Sequence, residues 1–193
     1  MPDASEASHR ALFARHPLHD SPWWMQRWER AAVAMVLRDG ERGAELLLVT
    51  RAERPGRRWS GHVGLPGGMR EPSDRSLAHT ARRECEEEVG LQLGPPGGRL
   101  RSVVSLRPRG MRPMAIAPLL FSLPEGQRPR IASSEVVDLD WVPLVRLATP
   151  RAWRWHRTGP VWAMAPTIEL RLGALWGLTL QMVGRLLAPG RSA

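Results

Sequence analysis

The chain has 193 residues, enough for one globular domain with a sizeable core. Its formal net charge is +9 at pH 7 and all of that positive charge comes from Arg, since the sequence holds no Lys; such a balance attracts polyanions. The only cysteine, Cys85, excludes an intrachain disulfide, and the apolar tract between Arg171 and Arg185 is shorter than the roughly 20 residues a membrane span needs.

The first ten residues lack a basic segment followed by an apolar run, so no signal peptide is expected. With one cysteine, a reducing cytoplasm is the expected compartment. Residues 1–29 read as an N-terminal extension, 30–187 as the main domain and 188–193 as a tail. Within the extension, Ser5 to Arg15 suits a short helix with Ser5 as N-cap. Trp23, Trp24 and Trp28 follow, and serve either as packing area, the commoner role of Trp, or as a surface for stacking a base.

Ala31 to Leu37 is a continuous apolar run and predicts a buried strand; the Asp39-Gly40 turn leads to a second strand, Leu46 to Thr50. Residues 51–64 are rich in Arg and Gly. Arg51, Arg54, Arg57 and Arg58 form either a solvated loop or a phosphate clamp, for which the bidentate guanidinium is suited. The glycine-rich turn Gly64-Leu65-Pro66-Gly67-Gly68 comes next. A helix is predicted from about Arg75 to Val89, with Leu77, Ala78, Ala81, Cys85 and Val89 on its apolar stripe and Gly90 as its stop. Cys85, on that stripe, reads as a small hydrophobe.

Glu84, Glu87 and Glu88 stand at i, i+3 and i+4 and project from one neighbouring strip, at a cost in mutual repulsion. An isolated triplet of this kind is usually a solvated acidic face. Here Gly67 and Gly68 let the backbone approach a ligand, and hard cations such as Mg2+ (or Mn2+) favour clustered carboxylates shared with phosphate oxygens. Arg83 adds a cation suited to a carboxylate or a phosphate.

Beyond the helix, 94–98 is a loop. Strands are predicted at Val103 to Leu106, Met114 to Leu123 and Val136 to Val142, the second with an edge or irregularity at Pro118. A short helix opens near Pro143, and Thr167 to Leu170 is the expected last strand. Gly173 to Leu187 should be the C-terminal helix. Between them Trp153, Trp155, His156 and Trp162 interleave with Arg151, Arg154 and Arg157, an arrangement that suits base stacking or a rim packed on the core.

The stretch from Gly68 resembles the Nudix box, G-x5-E-x7-R-E-U-x-E-E-x-G-U. Arg83 to Leu91 matches its second half throughout, with Cys85 as a small stand-in for the bulky apolar residue. Asp74 stands where the family has Glu, and eight residues rather than seven separate it from Arg83. Both departures, with the Leu65-Pro66-Gly67-Gly68 lead-in, resemble the coenzyme A diphosphatase branch; so do Leu48-Val49-Thr50-Arg51 and Leu175 to Thr179. Trp59 to His62 fits that branch less well, since it places His before the Gly and Gln after it.

The resemblance implies an α/β fold, an α/β/α sandwich with a mixed sheet, and Mg2+-dependent hydrolysis of a nucleoside diphosphate linked to another group. It implies metal ligation by Glu84, Glu87, Glu88 and the carbonyl of Gly68. Arg83 would orient a helix carboxylate, and Glu87 or Glu135 would act as base. Arg51, Arg57 and Arg58 are the candidate substrate-binding residues. Coenzyme A or an acyl-coenzyme A is the leading substrate. ADP-ribose, dinucleotides, nucleoside triphosphates and capped RNA are alternatives in the same class. A non-catalytic nucleic-acid-binding or regulatory protein is the alternative of another class, and the intact carboxylate set argues against it. The expected partner is thus a small nucleotide, with no membrane and no nucleic acid; a homodimer is left open.

Overall fold

The computed structural model describes residues 8–53, 61–105, 113–149, 151–158 and 161–188. Two short helices, α1 (His9–Arg15) and α2 (Trp23–Gln26), precede β1 (Glu29–Gly40) and β2 (Gly43–Arg51). Next come β3 (Val63–Gly64), β4 (Gly67–Met69) and the long helix α3 (Leu77–Val89). The strands β5 (Gly98–Arg99), β6 (Val103–Ser105), β7 (Met114–Ser122) and β8 (Val136–Pro143) lead to α4 (Leu144–Leu147). The chain finishes with β9 (Ala152–Thr158), β10 (Val161–Leu170), β11 (Gly173–Trp176) and α5 (Gly177–Leu187).

β1 to β8 form one mixed sheet and β9 to β11 a smaller antiparallel one. β1 is central because residues 31–37 are apolar without interruption, the pattern of a strand buried on both sides. It runs parallel to β7 along most of its length, whereas it pairs with β2 only near the turn, from Leu37↔Leu46 to Gly40↔Gly43. Further down, β1 and β2 splay apart. β4 takes up the free edge of β1 (Ala31↔Met69 to Val33↔Gly67), and β3 that of β2. The glycine-rich turn is thereby inserted into the middle of the sheet.

Two apolar layers cover the sheet, as the α/β/α expectation requires. On one face Ala32, Ala34, Val36 and Ala117 lie under Ala81, Cys85 and Val89 of α3. These small side chains let the helix sit close to the strands. Burial pushes the Cys85 thiol well above its usual range, which fits its reading as a core hydrophobe. On the other face Met35, Leu37 and Leu120 meet Leu180, Val183 and Leu186 of α5, together with Leu12 of α1 and Leu144 and Leu147 of α4. Leu12 is fully buried, so part of the N-terminal extension packs into this core.

Several expectations are corrected. The first helix starts at His9 after Ser8; Ser5 lies outside the described residues. Trp24 and Trp28 remain substantially exposed and are not core packing. Pro118 is on an interior strand, not an edge. Its carbonyl accepts from the N–H of Leu100 on the side where the pairing passes from β5 to β6, so its missing donor falls at that gap. Thr167 to Leu170 is the end of β10, and one more strand follows. Residues 173–176 are that strand, β11, because Leu175 is buried beside Ile168 of β10. Gly177, at φ 63, turns the backbone at the first residue of α5.

At the start of β1, Glu29 is buried and accepts hydrogen bonds from Arg99, Ser21 and Ser102. A buried carboxylate needs such partners, and these tie the chain before β1 to β5. Among the described residues, no helix is long and apolar enough to cross a membrane.

Candidate active site

The site begins with α3. Ser76 caps it by accepting from the N–H of His79 at 3.1 Å, and Gly90 ends it. The predicted start at about Arg75 is therefore moved two residues on, to Leu77. One side of α3 packs on Ala32 and Ala34, and the neighbouring strip carries the acidic residues over the inserted strand β4.

The three glutamates of that strip end in different environments. Glu88 is buried, 3% exposed. It accepts from Arg51 Nη1 at 2.9 Å and from the backbone N–H of Gly67 at 3.1 Å. Glu84 is half-buried and lies against the backbone of Gly68, where a Cβ would fall 2.4 Å from its Oε1. Glu87 stands on the outer rim, exposed, and accepts from Arg83 Nη1 at 3.1 Å. Burial raises the carboxyls of Glu84 and Glu88 above the usual range, Arg83 and Arg51 respectively counter this, and proximity to another glutamate adds to the rise.

Arg51 was expected in a loop before the helix. It sits instead at the end of β2, and its guanidinium is committed: besides Glu88 it donates to the carbonyls of Gly67 at 2.7 Å and Leu65 at 3.3 Å. Arg57 and Arg58, the other two candidate substrate contacts, lie outside the described residues.

Arg83 holds the outer half together. Its Nε and Nη2 donate to the two oxygens of Asp74 at 3.2 and 3.1 Å, and Nη2 also reaches Glu84 Oε1 at 3.0 Å and the Met69 carbonyl at 3.1 Å. Asp74, in sequence a departure from the box, has a fully buried side chain. It also accepts from the N–H of Glu71 and meets His79 Nδ1 at 3.0 Å. The signal that could have marked it was its place opposite an Arg one helix turn from Glu87. The Arg83 hydrogen bonds, assisted by the Glu71 N–H, hold the Asp74 carboxyl far below the usual carboxylate range in spite of burial.

Linkage gives the sign of the consequence. With the folded value depressed, the stabilisation is complete above the ordinary value of 3.8 and is lost as pH falls below it. The melting temperatures of wild type and Asp74→Asn should therefore differ most near neutrality and converge as the solution is acidified. Parallel curves from neutral to acid pH would contradict this role.

Glu135 lies in the turn before β8, half-buried. Its carbonyl accepts from Ala52 N–H at 2.8 Å, while Ala132 and Arg130 donate to the carbonyls of Glu88 and Val89. This loop is thus docked on the last turn of α3 and on the chain just past Arg51, at the Glu88 end of the site. A further feature was not foreseen: Trp176 is flanked by His156, stacked at 4.0 Å, and His62 at 4.8 Å, next to β3.

Among the described residues, no three His, Cys, Asp or Glu side chains converge on one point, since Glu88 and Glu84 are turned to the Arg51 and Arg83 guanidinia. The donor chemistry nonetheless fits a hard divalent cation: carboxylate oxygens on one strip, two of them with raised carboxyls, closely apposed to a glycine backbone that no side chain shields. Asp74 and Arg83 fix the outer members and Arg51 the inner one, as supporting residues do around metal ligands.

Comparisons with known proteins identify the family of the chain. The family model described as NUDIX domain matches residues 28–161. The human mitochondrial coenzyme A diphosphatase NUDT8 is 32% identical over 177 residues, covering 83% of this chain and 70% of that protein. An uncharacterised protein of Schizosaccharomyces pombe is 38% identical over 110 residues, 54% of this chain; the match spans only 33% of that protein's length. A NUDIX hydrolase from Alicyclobacillus acidocaldarius has the same fold, with a TM-score of 0.55 at 20% identity over 84% of this chain and 93% of its own. The chain belongs to the Nudix hydrolase family.

Proposed function

We propose that the protein hydrolyses the diphosphate linkage of coenzyme A or an acyl-coenzyme A with Mg2+, or Mn2+ in its place. The observation that carries this reading is the seating of Glu84 and Glu88 against the Gly67-Gly68 backbone by Arg83 and Arg51. Similarity to a coenzyme A diphosphatase supports the substrate.

Glu84, Glu87, Glu88 and the carbonyl of Gly68 would hold the cation. When bound, it supplies neutralisation of the non-bridging phosphate oxygens and a more acidic water. Glu88, held from two sides, and Glu84, laid on Gly68, would turn from the Arg51 and Arg83 guanidinia to present their oxygens to it. Arg83 orients Glu84 and Glu87 and does not touch substrate. Glu87, on the open rim, or Glu135, in the loop docked on α3, takes the proton from the attacking water. Arg51 acts through Glu88, while Arg57 and Arg58 contact the diphosphate. The reaction occurs in the cytoplasm.

The test is product analysis after incubation with coenzyme A and Mg2+, with Glu84→Gln as control. Adenosine 3′,5′-bisphosphate and phosphopantetheine should form with wild type only. Cleavage of ADP-ribose or a dinucleotide, with coenzyme A untouched, would move the substrate to the other diphosphates; no turnover of any of them would overturn the catalytic reading.

A further inference from the structure

The hairpin of β9 and β10 projects an aromatic face that the site does not use. Directly opposed residues of an antiparallel pair share a face. The register sets Trp153 against Pro166, Trp155 against Met164 and Arg157 against Trp162. Trp153, Trp155 and Trp162 are 67%, 62% and 64% exposed, and Met164 is 51% exposed. The opposite face holds His156 and Thr167, hydrogen-bonded at 2.6 Å and stacked towards Trp176, and the Arg154–Glu169 pair. β9 is the edge of its sheet. Three tryptophans left in water on one face constitute an interaction surface rather than scattered exposure.

Charge selects the partner. Arg157 lies on the tryptophan face, Arg154 is paired with Glu169 on the other, and residues 151–166 hold no Asp or Glu in a chain of net charge +9. A second copy would bring like charges together, whereas an anionic surface is attracted. The face also lacks Asn and Gln, the side chains that pair with adenine edges. Indole rings with one apolar and one hydrogen-bonding side belong at the boundary between lipid tails and headgroups, and Arg beside them suits anionic headgroups.

We propose that the β9–β10 hairpin docks the protein peripherally on an anionic lipid surface, with Trp153, Trp155, Trp162 and Met164 entering the headgroup boundary. The contact is peripheral: among the described residues no helix is long and apolar enough to cross the bilayer.

The test is cosedimentation of the full chain with vesicles of phosphatidylcholine, with and without phosphatidylglycerol, at low and high salt. Wild type should pellet with phosphatidylglycerol vesicles, less at high salt, and brominated lipids should quench its Trp emission. The triple variant Trp153→Ser, Trp155→Ser, Trp162→Ser should bind at least about tenfold more weakly. Met164→Glu, a single exposed change, should weaken binding in the same direction and guards against misfolding of the triple variant; unchanged melting confirms that both are folded. Absence of vesicle binding, or binding indifferent to both variants, would overturn the proposal. So would a wild-type dimer that both variants dissociate, or retention on single-stranded oligonucleotides in place of vesicles.

Discussion

Glu88→Gln should lower kcat/KM for the diphosphate substrate by at least about a hundredfold while leaving the protein folded. The carboxylate is buried between the Arg51 guanidinium and the Gly67 N–H, two donors that fix both of its oxygens. Glutamine keeps the shape and one acceptor. Its amide nitrogen, however, must face one of those donors and cannot accept from it. The unmade hydrogen bond costs about 1–3 kcal/mol. For a chain of this size each kcal/mol is about 2–4 °C of melting temperature. The loss of activity would exceed what this loss of stability explains, because a neutral side chain no longer contributes to the charge that attracts a divalent cation. Turnover within about tenfold of wild type, measured at saturating Mg2+ on protein of confirmed folding, would remove Glu88 from the machinery.

The neighbouring glycines should separate fold from site. At Gly67, φ is 150, and an added Cβ would lie 2.4 Å from the Ala32 carbonyl oxygen and 2.6 Å from Val33 Cα. Those are backbone atoms of β1 and cannot yield. Backbone strain costs about 1–3 kcal/mol, and overpacking costs a similar amount. Gly67→Ala should accordingly lower the melting temperature by roughly 10 °C or more. At Gly68 the backbone is unstrained, and the nearest atoms to the Cβ would be the carboxylate end of Glu84, at 2.4 to 2.7 Å. That side chain can swing aside. Gly68→Ala should melt close to wild type yet lose about tenfold to a hundredfold in activity, because Glu84 is displaced from the backbone it lies on. Thermal melts and steady-state rates of the two variants decide the matter. Full activity in Gly68→Ala would show that the position of Glu84 is irrelevant, and an unchanged melt in Gly67→Ala would contradict the close packing of β4 on β1.

Much of this was legible from residues alone where the determining forces are local. The period of Leu77, Ala81, Cys85 and Val89 places a helix and its buried side, and the i, i+3, i+4 spacing puts three glutamates on the adjoining strip. Apolar runs at 31–37 and 114–123 mark the two central strands. Pro118 announces an irregularity, though not that it lies inside the sheet at the passage from β5 to β6. The split of residues 173–187 into a strand and a helix was missed, since leucines at helical spacing also fit a strand whose inward position, Leu175, pairs with β10.

The helix, its acidic strip, the glycine turn before it and the family to which they belong follow from local residue patterns. The tertiary structure decided which carboxylate is sealed in and which faces water, because that depends on where β4 enters the splayed pair β1 and β2. It decided that Arg51, 37 residues before Glu88, is spent on that carboxylate, and that Asp74 anchors Arg83. It also left Trp153, Trp155 and Trp162 outside the core, although Trp usually packs. Periodicity records which side of an element is apolar; only the approach of distant segments fixes what each charged or aromatic side chain meets, and with it burial, pairing and ionisation.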